Sequence, residues 1–363
     1  MNEVSRAEKG LGDASLRLDV DETLPLRIAL IGAFGNGNLG DKYQALAIAT
    51  ILRELDPTCS ISSISMNGRD IVYPTDGMEL VPRPKLDDFE TLNSFDLLLV
   101  GGGGLLASPH RPLHNEAWVA GIRKPMCGVA LGVTTQHARN AAAFVRSCAA
   151  FSVRDRYSQK CALKVRKDVR IAMDPILLAP PLPGETPSLP EEREGIVWIP
   201  AKLTPETRPF YEDTVRRLFR SETDCVVALN EPSDRKSGFD AMFGANVHYV
   251  QTLEELTALL ARARLVVSER YHGCIFAIRA GLPCLGLALR GGGVTSKVRG
   301  LYEWMGLEEC AVDMDTTLRR PEMRKLAAQS FRRSNFRPGL IAQAAALRAY
   351  LADCLSIASA ARR

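Results

Sequence analysis

No two of this chain's nine cysteines stand in a C-x-x-C spacing. They fall at 59, 127, 148, 161, 225, 274, 284, 310 and 354, an odd number at irregular intervals, which argues against a zinc site and a disulfide framework. Most sit in apolar context, and the expectation is reduced core thiols in a cytosolic protein. Residues 1–24, MNEVSRAEKGLGDASLRLDVDETL, are polar and carry no apolar h-region, so they are not expected to act as a secretory signal. They are expected to form a mobile tail. No apolar run approaches the ~20 residues that a bilayer crossing requires. The longest, FDLLLVGGGGLLA, is interrupted by four glycines. Neither sign of charge dominates: 46 Lys and Arg face 42 Asp and Glu, dispersed along the chain, so nucleic acid is not an expected partner. No carboxylate cluster stands at metal-ligand spacing, and the expectation is a protein working with no metal and no cofactor.

What the 363 residues do contain is a repeated rhythm. RIALIG, SISSISM, DLLLVGGGG, MCGVALGV and AAFSVRD are short apolar runs ending in glycine or small polar turns, separated by segments of helical period. That alternation is the mark of βα units and a parallel sheet. It breaks at APPLPGETPSLPEEREG, residues 179–195, where five prolines and a charged cluster leave no apolar face. GIVWIPA, DCVVALN, ARLVVSER and PCLGLAL then restart it. The expected organisation is a tail (1–24), a Rossmann-like domain (25–182), a linker (183–195), a second Rossmann-like domain (196–337) and a C-terminal helix (338–363). Two doubly wound domains facing a cleft resemble the GT-B arrangement of glycosyltransferases. The closing segment, PGLIAQAAALRAYLADCLSIASAARR, carries Arg348, Arg362 and Arg363. Packing back on a domain is the expected role, with peripheral contact to an anionic membrane as the alternative.

The stretch RIALIGAFGNGNLGDKYQALAIATILREL, residues 27–55, holds a literal G-x-G-x-x-G in Gly35, Gly37 and Gly40. A dinucleotide site is not expected there. Asp41 follows the last glycine and would repel a pyrophosphate at the helix start. Ala33 and Phe34 lengthen the turn, and SISSISMNGRD offers Asn67 and Arg69 where a ribose-binding acid belongs. Asp41 is then either a helix N-cap or an acid projecting into the cleft. The four glycines 101–104 ask for bare backbone, for a close ligand or anion or for a tight helix-to-sheet crossing. Arg154, at the end of FSVRD, either reaches the cleft mouth or only pairs with Asp155. In LVVSERYHGCIFAIRAGLPCLGL, residues 265–287, Ser268, Arg270 and His272 alternate beyond a strand end. Arginine and histidine together supply a permanent anion binder and a proton-exchanging group. Lys297 follows a second glycine loop that lacks the G-K-[ST] order of a P-loop.

GNLGD (37–41), DLLLVGGGGLL (96–106), SVRDRYS (152–158), DPILL (174–178), SERYHGCIFAIRAGLPCLGL (268–287) and SKVRGLYEWMG (296–306) occur in the order found in the polysaccharide pyruvyl transferases, which the chain resembles over about 280 residues. The resemblance implies transfer of a pyruvyl group from phosphoenolpyruvate onto a pair of sugar hydroxyls as a ketal, without metal. The donor bears a phosphate and a carboxylate, for which Arg154, Arg270 and Lys297 are the candidate cations. His272 is the candidate proton donor to the methylene carbon, and Asp41 the candidate base for the acceptor hydroxyl. Asn38, Gly103, Gly104 and Ser268 are the further candidate substrate contacts. Family members commonly carry leucine where this chain has Tyr271, a change expected to bear on sugar stacking. The expected acceptor is a polysaccharide or glycan precursor, of which a lipid-linked form at the inner membrane face is one kind. A GT-B glycosyltransferase using a nucleotide sugar is the alternative.

Overall fold

The computed structural model describes residues 24–35, 37–66, 77–107, 112–182, 195–230, 233–288, 295–314, 318–332 and 336–363. The expected tail lies outside them except for Leu24. So do Asn67, Arg69 and all of the expected linker but Gly195, which opens a strand.

The apolar runs of the first half form one sheet of seven parallel strands: β1 (Arg27–Gly32), β2 (Ser60–Ser65), β3 (Glu79–Val81), β4 (Leu97–Gly103), β5 (Met126–Leu131), β6 (Ala150–Val153) and β7 (Arg170–Ile171). Their order is β3-β2-β1-β4-β5-β6-β7. The second half forms six: β8 (Gly195–Ile199), β9 (Cys225–Ala228), β10 (Val247–Tyr249), β11 (Ala263–Ser268), β12 (Cys284–Ala288) and β13 (Ala311–Asp313). These run in the order β10-β9-β8-β11-β12-β13, again parallel. Helices cover both faces of a parallel sheet, so its central strands are continuously apolar. Every residue of β4, β5 and β8 is buried. Strand order reverses between β1 and β4 and again between β8 and β11. Open α/β sheets bind ligands beyond the strand ends at such reversals.

Main-chain and side-chain contacts join the two halves. Leu39 N–H donates to Leu229 O at 2.8 Å, and Asn38 and Asn230 form an antiparallel bridge. Leu253 N–H donates to the Tyr43 hydroxyl at 3.1 Å, and the Tyr43 ring meets Phe276 edge-on. Arg279, at the end of the helix Tyr271–Arg279, crosses to donate to Ala179 O at 2.8 Å and Pro180 O at 2.6 Å.

The last helix, Phe336–Arg362, packs on the first sheet's side of the molecule through Leu347, Tyr350, Leu351, Cys354, Leu355 and Ala358. The Tyr350 hydroxyl donates to Gly128 O at 2.6 Å. Arg348 pairs with Glu54, Asp353 with Arg170, and Arg362 with Asp96 at 2.6 Å. Against the expectation from uninterrupted apolar runs, its stretch Leu340–Arg362 is long and apolar enough by length and composition to cross a bilayer; part of that face is packed on the domain, while Ile341 stays exposed.

Candidate functional site

Both sheet reversals deliver side chains to one place. After β1 the chain enters the helix Leu39–Leu55, whose N-cap is Asn38: its side-chain oxygen accepts from Gly40 N–H at 3.0 Å. The cap is therefore taken, and Asp41 lies in the first turn with Oδ1 3.7 Å from His272 Nδ1. Asn38, expected among substrate contacts, serves the helix end and the bridge to Asn230.

The four glycines meet different neighbours. A Cβ on Gly101 would press on Val129 of the adjacent strand β5, and one on Gly102 would overlap Gln44 Oε1 of the helix Leu39–Leu55, so bare backbone lets strand and helix lie close there. Gly102 and Gly103 have φ of +85° and +73°, conformations that side chains disfavour. Gly103 faces Asp41 Oδ1, 3.3 Å from where its Cβ would be, and Gly104 faces Lys297 Nζ at 3.1 Å on the same measure.

His272, near the start of the helix Tyr271–Arg279, projects from the second domain against Gly40 of the first. A Cβ on Gly40 would overlap the imidazole ring. Nε2 faces Asp174 Oδ2 at 3.5 Å. Asp174 is completely buried, and its other oxygen accepts from Ile176 N–H at 3.0 Å. Burial pushes the Asp174 carboxyl up, but the neighbouring imidazole, the Ile176 N–H and the Arg154 charge outweigh it and hold the group below the usual carboxylate range. Gln44, one helical turn beyond Asp41, donates from Nε2 to Asp174 Oδ2 at 2.7 Å.

Arg154 is almost wholly buried, with Nε 3.5 Å from Asp155 Oδ2. Asp155 caps the next helix by accepting from Ser158 N–H at 2.6 Å, so the Arg154 charge is not its only partner. The guanidinium lies over the Tyr271 ring, 4.2 Å from its centroid. Gly132 makes room, since a Cβ there would come within 2.7 Å of Arg154 Cζ. Tyr271 is thus the face on which Arg154 stacks, and its buried ring offers no platform for a sugar, contrary to the expected bearing on sugar stacking. Burial keeps its phenol protonated by pushing its pKa well up.

Lys297 enters from the first turn of the helix Thr295–Met305. Burial, and next the Arg154 charge, press its ammonium down to about 8, with Asp41 and Asp155 opposing. His137 is held below the ordinary imidazole range by burial first and then by Lys297 and His114. Lys297 and Arg154 therefore stand as two neighbouring cations, with Lys297 Nζ beside Gly104.

Two expected residues face elsewhere. The Ser268 hydroxyl is fully buried and donates to Arg270 O at 2.8 Å while accepting from Arg270 N–H at 3.1 Å. It shapes the turn that presents His272, and a substrate contact is closed to it. Arg270 donates to Pro200 O at 2.9 Å and Ala201 O at 3.2 Å, and pairs with the buried Asp234. Its charge is met inside the second domain, leaving Nη1 without a bond among the described residues.

Asp174, which heads the DPILL motif, and Gln44 carry parts of this site though neither was among the candidate residues. Gln44 was detectable by its i+3 spacing from Asp41. His114 stands four residues from His110, a helical metal-pair interval, but Pro112–His114 is a 3-10 turn and His110 lies outside the described residues. Among the described residues no three His, Cys, Asp or Glu side chains gather as a metal site.

The family model described as polysaccharide pyruvyl transferase matches residues 38–290. No curated protein matches in sequence. Among solved structures, an O-GlcNAc transferase mutant of Thermobaculum terrenum superposes with a TM-score of 0.54 at 13% identity, covering 95% of this chain and 69% of its own. UDP-GlcNAc 2-epimerase from Methanocaldococcus jannaschii gives 0.51 at 11% identity over 85% and 92%. The glycotransferase of kitacinnamycin gives 0.50 at 15% identity over 92% and 99%. At such identities the likeness is one of fold, and the fold is GT-B-like.

Proposed function

Because the chain belongs to the polysaccharide pyruvyl transferase family, we propose that it moves the pyruvyl group of phosphoenolpyruvate onto two hydroxyls of a glycan precursor, closing a ketal and releasing phosphate. The observation that carries this reading is the His272 imidazole, set between Asp41 and Asp174 and bordered by Arg154 and Lys297. The donor has two anionic groups and an electron-rich methylene carbon. Arg154 and Lys297 are suited to its charges. Protonation of the methylene by His272 makes the adjacent carbon electrophilic. The first acceptor hydroxyl attacks it and gives its proton to Asp41. The second hydroxyl then displaces phosphate, which leaves with the remaining proton. Diol and phosphoenolpyruvate thus become ketal and phosphate with no redox change and no cofactor. A lipid-linked acceptor at the inner membrane face is compatible with this chemistry.

The test is phosphate release from phosphoenolpyruvate when a panel of nitrophenyl and lipid-linked glycosides is supplied, in excess EDTA. Acceptor-dependent release is expected. Absence of release with every acceptor, together with calorimetric binding of UDP or GDP, would replace this reading with a nucleotide-sugar glycosyltransferase.

A further inference from the structure

The two carboxylates flanking His272 are not equivalent. Asp41 keeps part of its side chain exposed and lies across from the bare backbone of Gly103. Asp174 has no exposure, and both its oxygens are engaged, Oδ1 by Ile176 N–H and Oδ2 by Gln44 Nε2. Facing Oδ2 is His272 Nε2, a buried nitrogen with no hydrogen bond yet formed, 3.5 Å away. Such contacts are often long before substrate binds.

We propose that Asp174 is a positioning residue, held by Gln44, that fixes His272 with its proton on Nε2 and so makes Nδ1, beside Asp41, the nitrogen that exchanges protons with the substrate. A buried carboxylate can only accept, so the imidazole must present N–H to it. Nδ1 is left toward the cleft, and the imidazolium carries its transferable proton there. When Nδ1–H protonates the methylene carbon, the ring keeps Nε2–H against Asp174 and Nδ1 retains the electron pair. The proton that Asp41 takes from the hydroxyl then returns to Nδ1 across the 3.7 Å gap, restoring both groups. His272 belongs to the second domain, whereas Asp174 and Gln44 belong to the first. The ring is therefore oriented for transfer only where the domains meet. The catalytic part of this inference rests on the proposed function; the tautomer does not.

The experiment is ¹⁵N NMR of the full chain with labelled histidine and no ligand. Five histidines make the spectrum assignable by loss of one signal set in His272→Gln. The wild type should hold the neutral His272 proton on Nε2. In Asp174→Asn, Ile176 N–H keeps the amide oxygen in the Oδ1 place and turns the amide nitrogen toward Nε2. The proton should move to Nδ1, and kcat should fall about 10²–10⁴-fold with KM for phosphoenolpyruvate unchanged. Gln44→Met, which removes only the clamp on Asp174, should give a mixture of tautomers and a smaller loss. A wild-type proton on Nδ1, or an Asp174→Asn protein with full kcat, overturns the assignment. If Asp174→Asn does not fold, the wild-type spectrum and Gln44→Met still decide it. A wild type with the expected tautomer and no turnover of phosphoenolpyruvate would fault the proposed function alone.

Discussion

At the scale of single residues, the same side chain can be read as a cap or as chemistry, and the helix start at residues 38–41 separates the two. Asn38 makes the cap bond, so Asn38→Ala should cost about 1 kcal/mol in a denaturant melt. Asp41→Ala should leave stability nearly unchanged and lower kcat about 10²–10⁴-fold. A melt in which Asp41→Ala is the weaker protein and turns over normally would reverse these roles. Lys297 gives a second measurement. Its ammonium is pressed to about 8, so the free enzyme loses a donor-binding cation as pH rises through that value. kcat/KM for phosphoenolpyruvate should fall on the alkaline side, and Lys297→Arg, which stays protonated, should abolish that limb. His272, Asp41, Arg154 and Lys297 were legible because charged residues just beyond apolar strand runs mark the ligand end of a parallel sheet. Arg270 was counted as a free cation because its partner Asp234 lies 36 positions away, a pairing that no local pattern reveals. Asp174 heads the DPILL motif but was not among the candidate residues; it caps Ile176 N–H, and its approach to His272 of the other domain likewise shows in no local pattern.

At the scale of elements, apolar runs bounded by glycine specified the two sheets well, because a strand buried on both faces has no other composition open to it. The glycine run at 101–104 shows where such reading stops. Sequence left crossing and ligand approach as alternatives; Gly101 and Gly102 are bare because Val129 and Gln44 press close, while Gly103 and Gly104 face Asp41 and Lys297 of the candidate site. The final helix posed a similar choice between membrane and domain. Periodicity gave its length to within two residues but not its partner, because an apolar stripe packs equally well on protein or lipid. The ion pairs of Arg348 and Arg362 with Glu54 and Asp96 tie it to the first domain. Leu351 is fully buried on that face, and Leu351→Ala should lower unfolding free energy by about 2–5 kcal/mol. Unchanged melting of that variant would mean the helix contributes little to the fold and leaves its apolar face available to a membrane.

For the whole molecule, the controlling fact is that the site is assembled from two domains and has no complete form in either. Arg154, Asp41, Asp174 and Gln44 come from the first, and Tyr271, His272 and Lys297 from the second. Arg154 on Tyr271 and His272 against Gly40 are contacts that only the joined domains make. Gly40 is also the last glycine of the literal G-x-G-x-x-G, a position that in a dinucleotide site lets helix and strand pack closely. Here the missing side chain admits an imidazole from the opposite domain, which explains why the pattern occurs with an acid directly behind it. Gly40→Ala therefore strikes fold and function together. Alanine is the better helix former by up to about 1 kcal/mol, but overpacking a buried contact costs about 1–3 kcal/mol. The new methyl occupies the space of the His272 ring and Cβ, so the ring must leave its place between Asp41 and Asp174 and the domains must shift apart. The expected protein melts below the wild-type temperature, shows a larger radius of gyration by small-angle scattering or a displaced His272 signal by NMR, and loses most of its kcat. A Gly40→Ala protein with wild-type turnover would show that the His272 ring works from some other position, and the two-domain proton site would have to be redrawn.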